Sequence, residues 1–120
     1  MMRTGPTNYV MRKTIRILKS YANKYNADIW RYAAELLEKP ARRRIAVNIS
    51  KINRYTKDDD IVVVPGKVLG AGNLDHKVTV AALAFSQQAI QKIKASGGKV
   101  MHILELIQIN PSGSNTKVII

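Results

Sequence analysis

The stretch that decides the fold of this chain reads Asp58-Asp59-Asp60-Ile61-Val62-Val63-Val64-Pro65-Gly66. Its centre, Ile61 to Val64, is a continuous β-branched run, and such runs are typical of a strand buried on both faces. The aspartates before the run and the Pro-Gly pair after it are turn residues that bound the strand. Because doubly buried strands occur in sheets covered by helices on both sides, this stretch predicts an α/β fold.

Further strands are predicted on the carboxyl side of this run. Lys67 to Leu69 predicts a short additional strand before the Gly70-Ala71-Gly72 loop. Val78 to Phe85 is a second run of small and apolar residues, and Lys99 to His102 predicts one more strand. We therefore expect several short strands in one sheet.

Helices are predicted between and after these strands. Ser86 is suited to cap a helix that Gly97-Gly98 ends, because glycine adopts the left-handed backbone that a β-carbon resists. Ile103 to Ile109 predicts a short helix that stops before Pro111. We expect residues 112–120 to form a loose tail, with the alternative that Val118-Ile119-Ile120 pairs back onto the sheet.

Two helices are predicted at the amino end, after an arm formed by residues 1–7. Thr7 or Asn8 is suited to cap the first helix, whose apolar stripe recurs at spacings of three and four: Met11, Ile15, Leu18, Ala22 and Tyr25. Asp28 is suited to cap a second helix that Pro40 ends, with Trp30 and Tyr32 flanking its apolar face. With 120 residues and no linker or repeat, the chain predicts a single compact α/β domain.

The positive charge is spread unevenly along the chain. Residues 1–54 carry 13 Lys+Arg against 3 Asp+Glu, whereas residues 55–120 carry 7 against 5. Every arginine lies at or before Arg54, and Arg42, Arg43 and Arg44 are consecutive. Because the planar guanidinium grips phosphate with two parallel hydrogen bonds and stays charged, this concentration predicts a nucleic-acid partner.

Other interpretations of the charged and glycine-rich segments are weaker. A run of charged residues is most often a solvated surface segment. A basic amphipathic helix can also lie on a membrane surface, but Met11, Ile15 and Leu18 are more simply explained as core residues. The loop from Gly66 to Gly72 lacks the P-loop ending and the dinucleotide-binding order, yet it can let backbone approach a phosphate. Three adjacent aspartates cannot all point at one ion from an extended chain, so no metal site is expected.

No catalytic function is expected either. The chain has no cysteine, which removes thiol nucleophiles and thiolate metal sites, and neither His76 nor His102 has the spacing to a nucleophile or a paired acid that catalysis needs. We expect no enzyme activity, no cofactor and no small-molecule substrate. Without an apolar run long enough for a signal peptide or a membrane span, we expect a cytoplasmic protein with no membrane partner.

Four segments of the chain resemble a known family. They are Thr4 to Asn8, Val47 to Thr56, Val62 to Gly72 and His76 to Ala82, and the run Val-Val-Val-Pro-Gly-Lys-Val-Leu-Gly is highly specific. Together they resemble the large-subunit ribosomal protein family L eighteen-e, a relative of bacterial ribosomal protein L fifteen, from about Thr4 to Pro111. The compact length resembles the archaeal members.

The resemblance implies an α/β fold of irregular β-β-α turns, a place in the ribosome beside other large-subunit proteins, and binding to large-subunit ribosomal RNA (rRNA). The predicted function is a structural constituent that stabilises folded rRNA. The alternatives are a free basic nucleic-acid-binding or chromatin factor and, last, an enzyme acting on RNA. Charge and resemblance together predict these RNA-binding residues: Arg3, Arg12, Lys13, Arg16, Lys19, Arg42, Arg43, Arg44, Lys51, Arg54, Lys67, His76 and Lys77.

Overall fold

A computed structural model of the protein describes residues 6–38 and 45–120, with side chains from residue 11 onward. Five helices are found in these ranges: α1 Pro6–Tyr25, α2 Asp28–Leu37, α3 Ile49–Tyr55, α4 Gln87–Ala95 and α5 Ile103–Ile109. Five strands accompany them: β1 Ile45–Asn48, β2 Asp60–Leu69, β3 Val78–Phe85, β4 Lys99–His102 and β5 Thr116–Val118. The predicted α/β class and the two helices at the amino end are confirmed.

All strand pairs in the sheet are parallel. The main order is β1-β2-β3-β4, and β5 also pairs with β2. Because β3 occupies one edge of β2, the other edge is shared: β1 pairs with residues 66–69 of β2 and β5 with residues 61–63. β2 is therefore the central strand, as its apolar sequence predicts.

β2 is longer than the sequence predicts. Instead of ending before Pro65-Gly66, one strand runs from Asp60 to Leu69, and its pairing with β3 shifts register between Val64 and Lys67. Proline has no N–H to donate to a ladder, and such an irregularity is one of the few places where a strand accepts it. A β-carbon on Gly66 would lie 2.1 Å from the backbone oxygen of Ile45, so only glycine lets β1 approach.

The two faces of the sheet carry separate cores. The first core lies under α1, α2 and α5 and includes Val63, whereas the second core lies under α3 and α4 and includes Val62 and Val64. All three valines are fully buried. Successive side chains of a strand point to opposite faces, so the β-branched run supplies both cores, as predicted.

The end of the chain is not the loose tail that we predict for residues 112–120. Thr116–Val118 forms β5, the N–H of Ile119 donates to the carbonyl oxygen of Val63 at 3.0 Å, and the Ile119 side chain is buried in the second core. The alternative, pairing back onto the sheet, is the arrangement found. The physical reason is that β1 leaves the amino half of one edge of β2 unpaired, so a short apolar strand gains both hydrogen bonds and burial there.

Two helix starts also differ from prediction, and a third agrees with it. α1 begins at Pro6, a residue favoured at the first helical position, so Thr7 and Asn8 lie inside the helix, and Pro6 and Thr7 do not belong to the predicted arm of residues 1–7. Asp28 is the first residue of α2 and pairs with Arg31 instead of capping the helix. Ser86 does cap α4, accepting the N–H of Ala89 at 3.1 Å.

Candidate nucleic-acid interface

Three neighbouring cations on α1, all before Lys19, have no carboxylate partner within the described residues. Arg12, Lys13 and Arg16 are exposed, and none of them takes part in an ion pair found there. The opposite face of the helix packs on the first core through Leu18, with Met11 and Ile15 partly buried beside it. The spacing of three and four residues thus places the charges in solvent, where an anion can reach them.

Lys19 continues this face but is paired. Its ammonium lies 2.7 Å from a carboxylate oxygen of Glu38, and the two side chains are 48% and 45% exposed. An exposed pair of this kind is worth little to stability, yet it neutralises the local charge. Arg12, Lys13 and Arg16 therefore form the unopposed group that precedes Lys19. The ammonium of Lys24, in the last turn of α1, lies 5.5 Å from the ring centroid of Tyr25.

Lys67 occupies an open part of the sheet. In the strand register it lies between Ala46 of β1 and Ala84 of β3, and all three residues are exposed. Their neighbours Val47, Val68 and Phe85 pack on the second core, so the Lys67 side chain points to the opposite side of the sheet. A cation with small residues on both sides is accessible to a broad ligand such as a nucleic-acid backbone.

The glycine loop is packed against the protein's own helices. A β-carbon on Gly72, whose φ is +97°, would lie 2.4 Å from the β-carbon of Ser50, and one on Gly70 would lie 2.7 Å from the side chain of Gln88. Lys92 donates to the carbonyl oxygens of Gly70 and Gly72 at 2.7 and 2.6 Å. These glycines therefore allow a close approach to α3 and α4; whether the loop also meets phosphate stays a prediction.

His76 is held on both ring nitrogens. Nε2 lies 2.6 Å from the hydroxyl of Thr56, and Nδ1 lies 2.8 Å from a carboxylate oxygen of Asp75. The hydrogen bond from His76 keeps the pKa of Asp75 below its usual value. Since the imidazole joins the end of α3 to the loop before β3, its place favours a role in fixing that loop over a role as a free phosphate donor.

The remaining predicted cations of the described residues have varied surroundings. Lys77 lies 3.2 Å from a carboxylate oxygen of Asp59, and both side chains are exposed. The ammonium of Lys51 donates to the carbonyl oxygen of Ile120. The guanidinium of Arg54 lies 5.8 Å from the ring centroid of Tyr55, within cation–π range.

The three consecutive aspartates accept from four donor groups of three lysines. Asp58 accepts from the backbone N–H of Lys77, and Asp59 pairs with its ammonium. Asp60 accepts from the N–H of Lys57, which is the main reason why its pKa is lowered, and from the ammonium of Lys117. Within the described ranges, no group of three His, Cys, Asp or Glu side chains is arranged to hold a metal ion.

Sequence patterns did not predict the roles of two side chains, His102 and Lys92, that form hydrogen bonds to backbone groups. His102 caps α5: its Nδ1 accepts the N–H of Leu104 at 3.0 Å, and Glu105 accepts the N–H of His102 at 2.8 Å. Burial lowers the pKa of His102, and the Glu105 carboxylate opposes that shift. The second side chain is that of Lys92, which donates to the glycine loop. The sequence around His102 and Lys92 does not distinguish either residue from an ordinary surface residue.

Four of the predicted RNA-binding residues, Arg3 and the run Arg42 to Arg44, lie outside the described residues. The arginine run is joined in sequence to Ile45, the first residue of β1, which pairs with Gly66 beside Lys67.

Of the helices that lie within the described residues, none combines the length and apolar character that crossing a bilayer needs.

Comparisons with known proteins give a consistent result. A family model described as "Ribosomal proteins 50S-L15, 50S-L18e, 60S-L27A" matches residues 27–101. A Sulfolobus acidocaldarius protein named large ribosomal subunit protein eL18 is 56% identical over 107 residues, 89% of this chain and 87% of that protein. Proteins of the same name from Methanothermobacter thermautotrophicus and Pyrobaculum aerophilum are 49% and 45% identical over 113 and 117 residues. These cover 94% and 98% of this chain and 93% and 96% of the respective relatives.

Proposed function

Because the chain belongs to the family of the large-subunit ribosomal proteins described above, we propose that it binds folded large-subunit rRNA through the exposed cations of α1 and the sheet. Membership of this family makes it a structural protein of the large ribosomal subunit, located in the ribosome in the cytoplasm, and not an enzyme. Its similar relatives are archaeal. The rRNA and the neighbouring ribosomal proteins are its expected partners.

The observation that carries this proposal is the contrast between paired and unpaired cations. Lys19, Lys77 and Lys117 each lie within 3.2 Å of a carboxylate, so their charge is locally neutralised. Arg12, Lys13 and Arg16 lie together on one exposed face without such partners in the described part of the chain. Unopposed charges attract the phosphate backbone most strongly, because binding releases the counterions that condense on it.

Lys67 extends this surface on the sheet. It is flanked by small side chains at Ala46 and Ala84, which leaves room for the wide, shallow minor groove or the backbone of an RNA helix. A rigid parallel sheet holds such a cation at a set distance from the charges on α1. The arrangement supports recognition of RNA shape, since no base sequence is needed to place phosphates at these separations.

The second candidate is a free nucleic-acid-binding factor, which would share the charge. Family membership argues against it, and fractionation of source cells on sucrose gradients at high salt distinguishes the two. We expect this protein to migrate with the large subunit, as a protein bound at many phosphates within a folded particle does. A protein found entirely in the light fractions would support the free factor.

The salt dependence of binding to protein-free large-subunit rRNA tests the proposed mechanism. If about eight phosphates are neutralised, the slope of log affinity against log salt lies near roughly −6 to −7, at about 0.7 to 0.9 per contact. A slope close to zero would show that binding is not electrostatic.

Two triple variants locate the surface. Replacing Arg12, Lys13 and Arg16 by alanine should weaken rRNA binding and flatten the salt slope by about two to three units, and so should the same change at Arg42, Arg43 and Arg44. Thermal stability should change little in both, since phosphate contacts are absent from the free protein. Lys19→Ala is the matched control on α1; because Glu38 already neutralises Lys19, its effect on the slope should be smaller than that of Arg16→Ala.

A triple variant that unfolds, and that binds only in proportion to its folded fraction, would assign those cations a structural role. If both triple variants bind rRNA as tightly as the unmodified protein and with the same slope, the α1 part of the proposed surface and the predicted role of the arginine run are wrong. The RNA contacts would then be sought at Lys67 and on α3.

A further inference from the structure

An open groove with an aromatic wall lies beside the end of α3. It has a volume of about 520 Å³ and is lined by Lys51, Tyr55, Lys117, Val118, Ile119 and Ile120. Tyr55 is 54% exposed, so most of its ring lies outside the second core on which α3 packs. An aromatic ring left in solvent next to a groove is available for stacking.

The charged groups around this groove are mainly positive. The guanidinium of Arg54 lies 5.8 Å from the Tyr55 ring centroid, and Lys51 and Lys117 line the groove itself. The nearby Asp60 carboxylate is neutralised by Lys117, 3.0 Å away. An ammonium has three N–H donors, and Lys51 uses one on the carbonyl oxygen of Ile120, so donors remain for an anion.

We propose that this groove binds an unpaired nucleotide of RNA, with the base stacked on Tyr55 and its phosphates contacted by Arg54 and Lys51. The proposal rests on the proposed RNA-binding function and adds a contact of a different kind, since the α1 and Lys67 surface meets only backbone. An aromatic platform beside a basic groove is the usual means of holding single-stranded nucleic acid, and it accepts any base because each has a π-face.

Charge complementarity favours a nucleotide over a peptide as the occupant. An apolar peptide would cover Val118 and Ile120 but would leave Lys51 and Arg54 without an anionic partner. A nucleotide offers an apolar face to the ring and an anion to the cations. The groove volume also falls within the range of about 300–1,000 Å³ that suits small ligands.

The test uses the full chain and two probes: a six-nucleotide oligoadenylate carrying one 2-aminopurine, and a fully paired RNA duplex of twelve base pairs. Binding of the hexamer should quench 2-aminopurine fluorescence as its base stacks. Tyr55→Ala should weaken hexamer binding roughly 5- to 150-fold and remove the quenching. Tyr55→Phe should keep both, because the ring and not the hydroxyl provides the stack.

Tyr32→Ala is the matched control, because Tyr32 is 43% exposed on α2 and lies away from the groove lining. It should leave hexamer binding unchanged. Duplex binding should be the same in all three variants. If the unmodified protein binds neither the duplex nor the hexamer, the proposed function itself is contradicted. If it binds the duplex but its hexamer binding does not depend on Tyr55, only the groove proposal is overturned.

Hexamer affinity that is unchanged in a folded Tyr55→Ala protein overturns the proposal. A peptide occupant is a separate outcome: if a short apolar peptide, and not the hexamer, shifts the backbone NMR signals of Tyr55 and Val118, the groove is a protein-docking site and the nucleotide proposal is wrong. Lys51→Ala provides a second measurement, since Lys51 lines the groove and has no carboxylate partner within the described residues, so its loss should flatten the salt slope of hexamer binding by about 0.7.

Discussion

At the residue scale, the function of a charged side chain depends on what lies beside it. Lys67 and Lys77 are both exposed lysines near the ends of strands, but Lys77 lies beside Asp59 and Lys67 has no carboxylate partner in the described chain. The two lysines therefore differ in what they offer an anion. Counting charges along the chain cannot distinguish them, because the aspartate that neutralises Lys77 is distant in sequence.

We expect His102 to give the stability of the protein a pH dependence in mildly acidic solution. Burial lowers its pKa, and its Nδ1 must stay unprotonated to accept the N–H of Leu104. The unfolded chain therefore binds this proton near pH 6.5 while the folded protein resists it, so stability is full above that pH and falls as pH decreases toward the folded pKa. One proton sets an upper limit of about 1.4 kcal/mol per pH unit on the slope.

Urea unfolding between pH 7.5 and pH 5 measures this effect, with His102→Asn as the control. Asparagine can cap a helix with its side-chain oxygen and does not titrate. The variant should keep its stability at pH 7.5 and lose part of the decrease toward pH 5. Aspartates with lowered pKa values, such as Asp60 and Asp75, affect stability only in more acidic solution. An unchanged pH dependence in His102→Asn would assign the titration to another group.

At the element scale, β5 is as much a part of the sheet as the longer strands. Its three residues pair with Ile61, Val62 and Val63 of β2, on the edge segment that β1 does not reach. Burial of the next residue, Ile119, adds apolar contact to the second core. A three-residue strand has little propensity of its own, so the edge of β2 and the core together must hold it.

Ile119→Ala should destabilise the protein by about 2–5 kcal/mol, because it removes a side chain that is only 6% exposed and leaves a cavity in the second core. Ile120→Ala is the matched control: Ile120 is 44% exposed, and its loss should change stability by less than about 0.5 kcal/mol. Urea denaturation of the two variants gives both values. Equal, small effects would mean that the end of the chain is as loose in solution as its sequence suggests.

At the scale of the whole molecule, two cores share one sheet. Val63 belongs to the first core, whereas Val62 and Val64 on either side of it belong to the second. Because both cores pack on the same strand, displacing that strand would disturb both. Trp30 is fully buried in the first core, and its indole N–H donates to the carbonyl oxygen of Pro111 at 2.8 Å. We therefore expect the domain to unfold in one step.

The single tryptophan makes this expectation measurable. Val64→Ala changes only the second core and should cost on the order of one to a few kcal/mol. Trp30 fluorescence reports the first core, and far-ultraviolet circular dichroism reports all helices and strands. Both transitions should coincide in urea and should shift together in Val64→Ala. A Trp30 transition that stays in place while the dichroism transition moves would show that the two halves unfold separately.

Local pattern was enough to predict the α/β class and several of the elements, whereas β1 was not predicted and β5 was only the alternative to a loose tail. A continuous β-branched run predicts a strand that is buried on both faces. Ser86 accepts a hydrogen bond from the backbone N–H of Ala89, three residues further along. α4 ends at glycines because Gly97 adopts the left-handed conformation, with φ of +88°. These features depend only on neighbours in the chain. The same holds for α1, where the helical spacing alone separates Leu18 in the core from Arg12 and Arg16 in solvent.

Pairing between distant segments was decided only by the tertiary structure. Trp30, which local pattern places beside the apolar face of α2, is fully buried because α1 and α5 close over it. Four features depend on contacts between residues of different elements. They are the continuation of β2 through Pro65, the pairing of β5 with β2, the hydrogen bonds of His76, and the contact of Lys92 with the glycine loop. Their free energy depends on which surfaces meet in space. Composition and spacing therefore predicted a basic α/β protein, and the resemblance of four segments implied its family. Only the packed fold distinguishes the cations that are paired with carboxylates from those that are not.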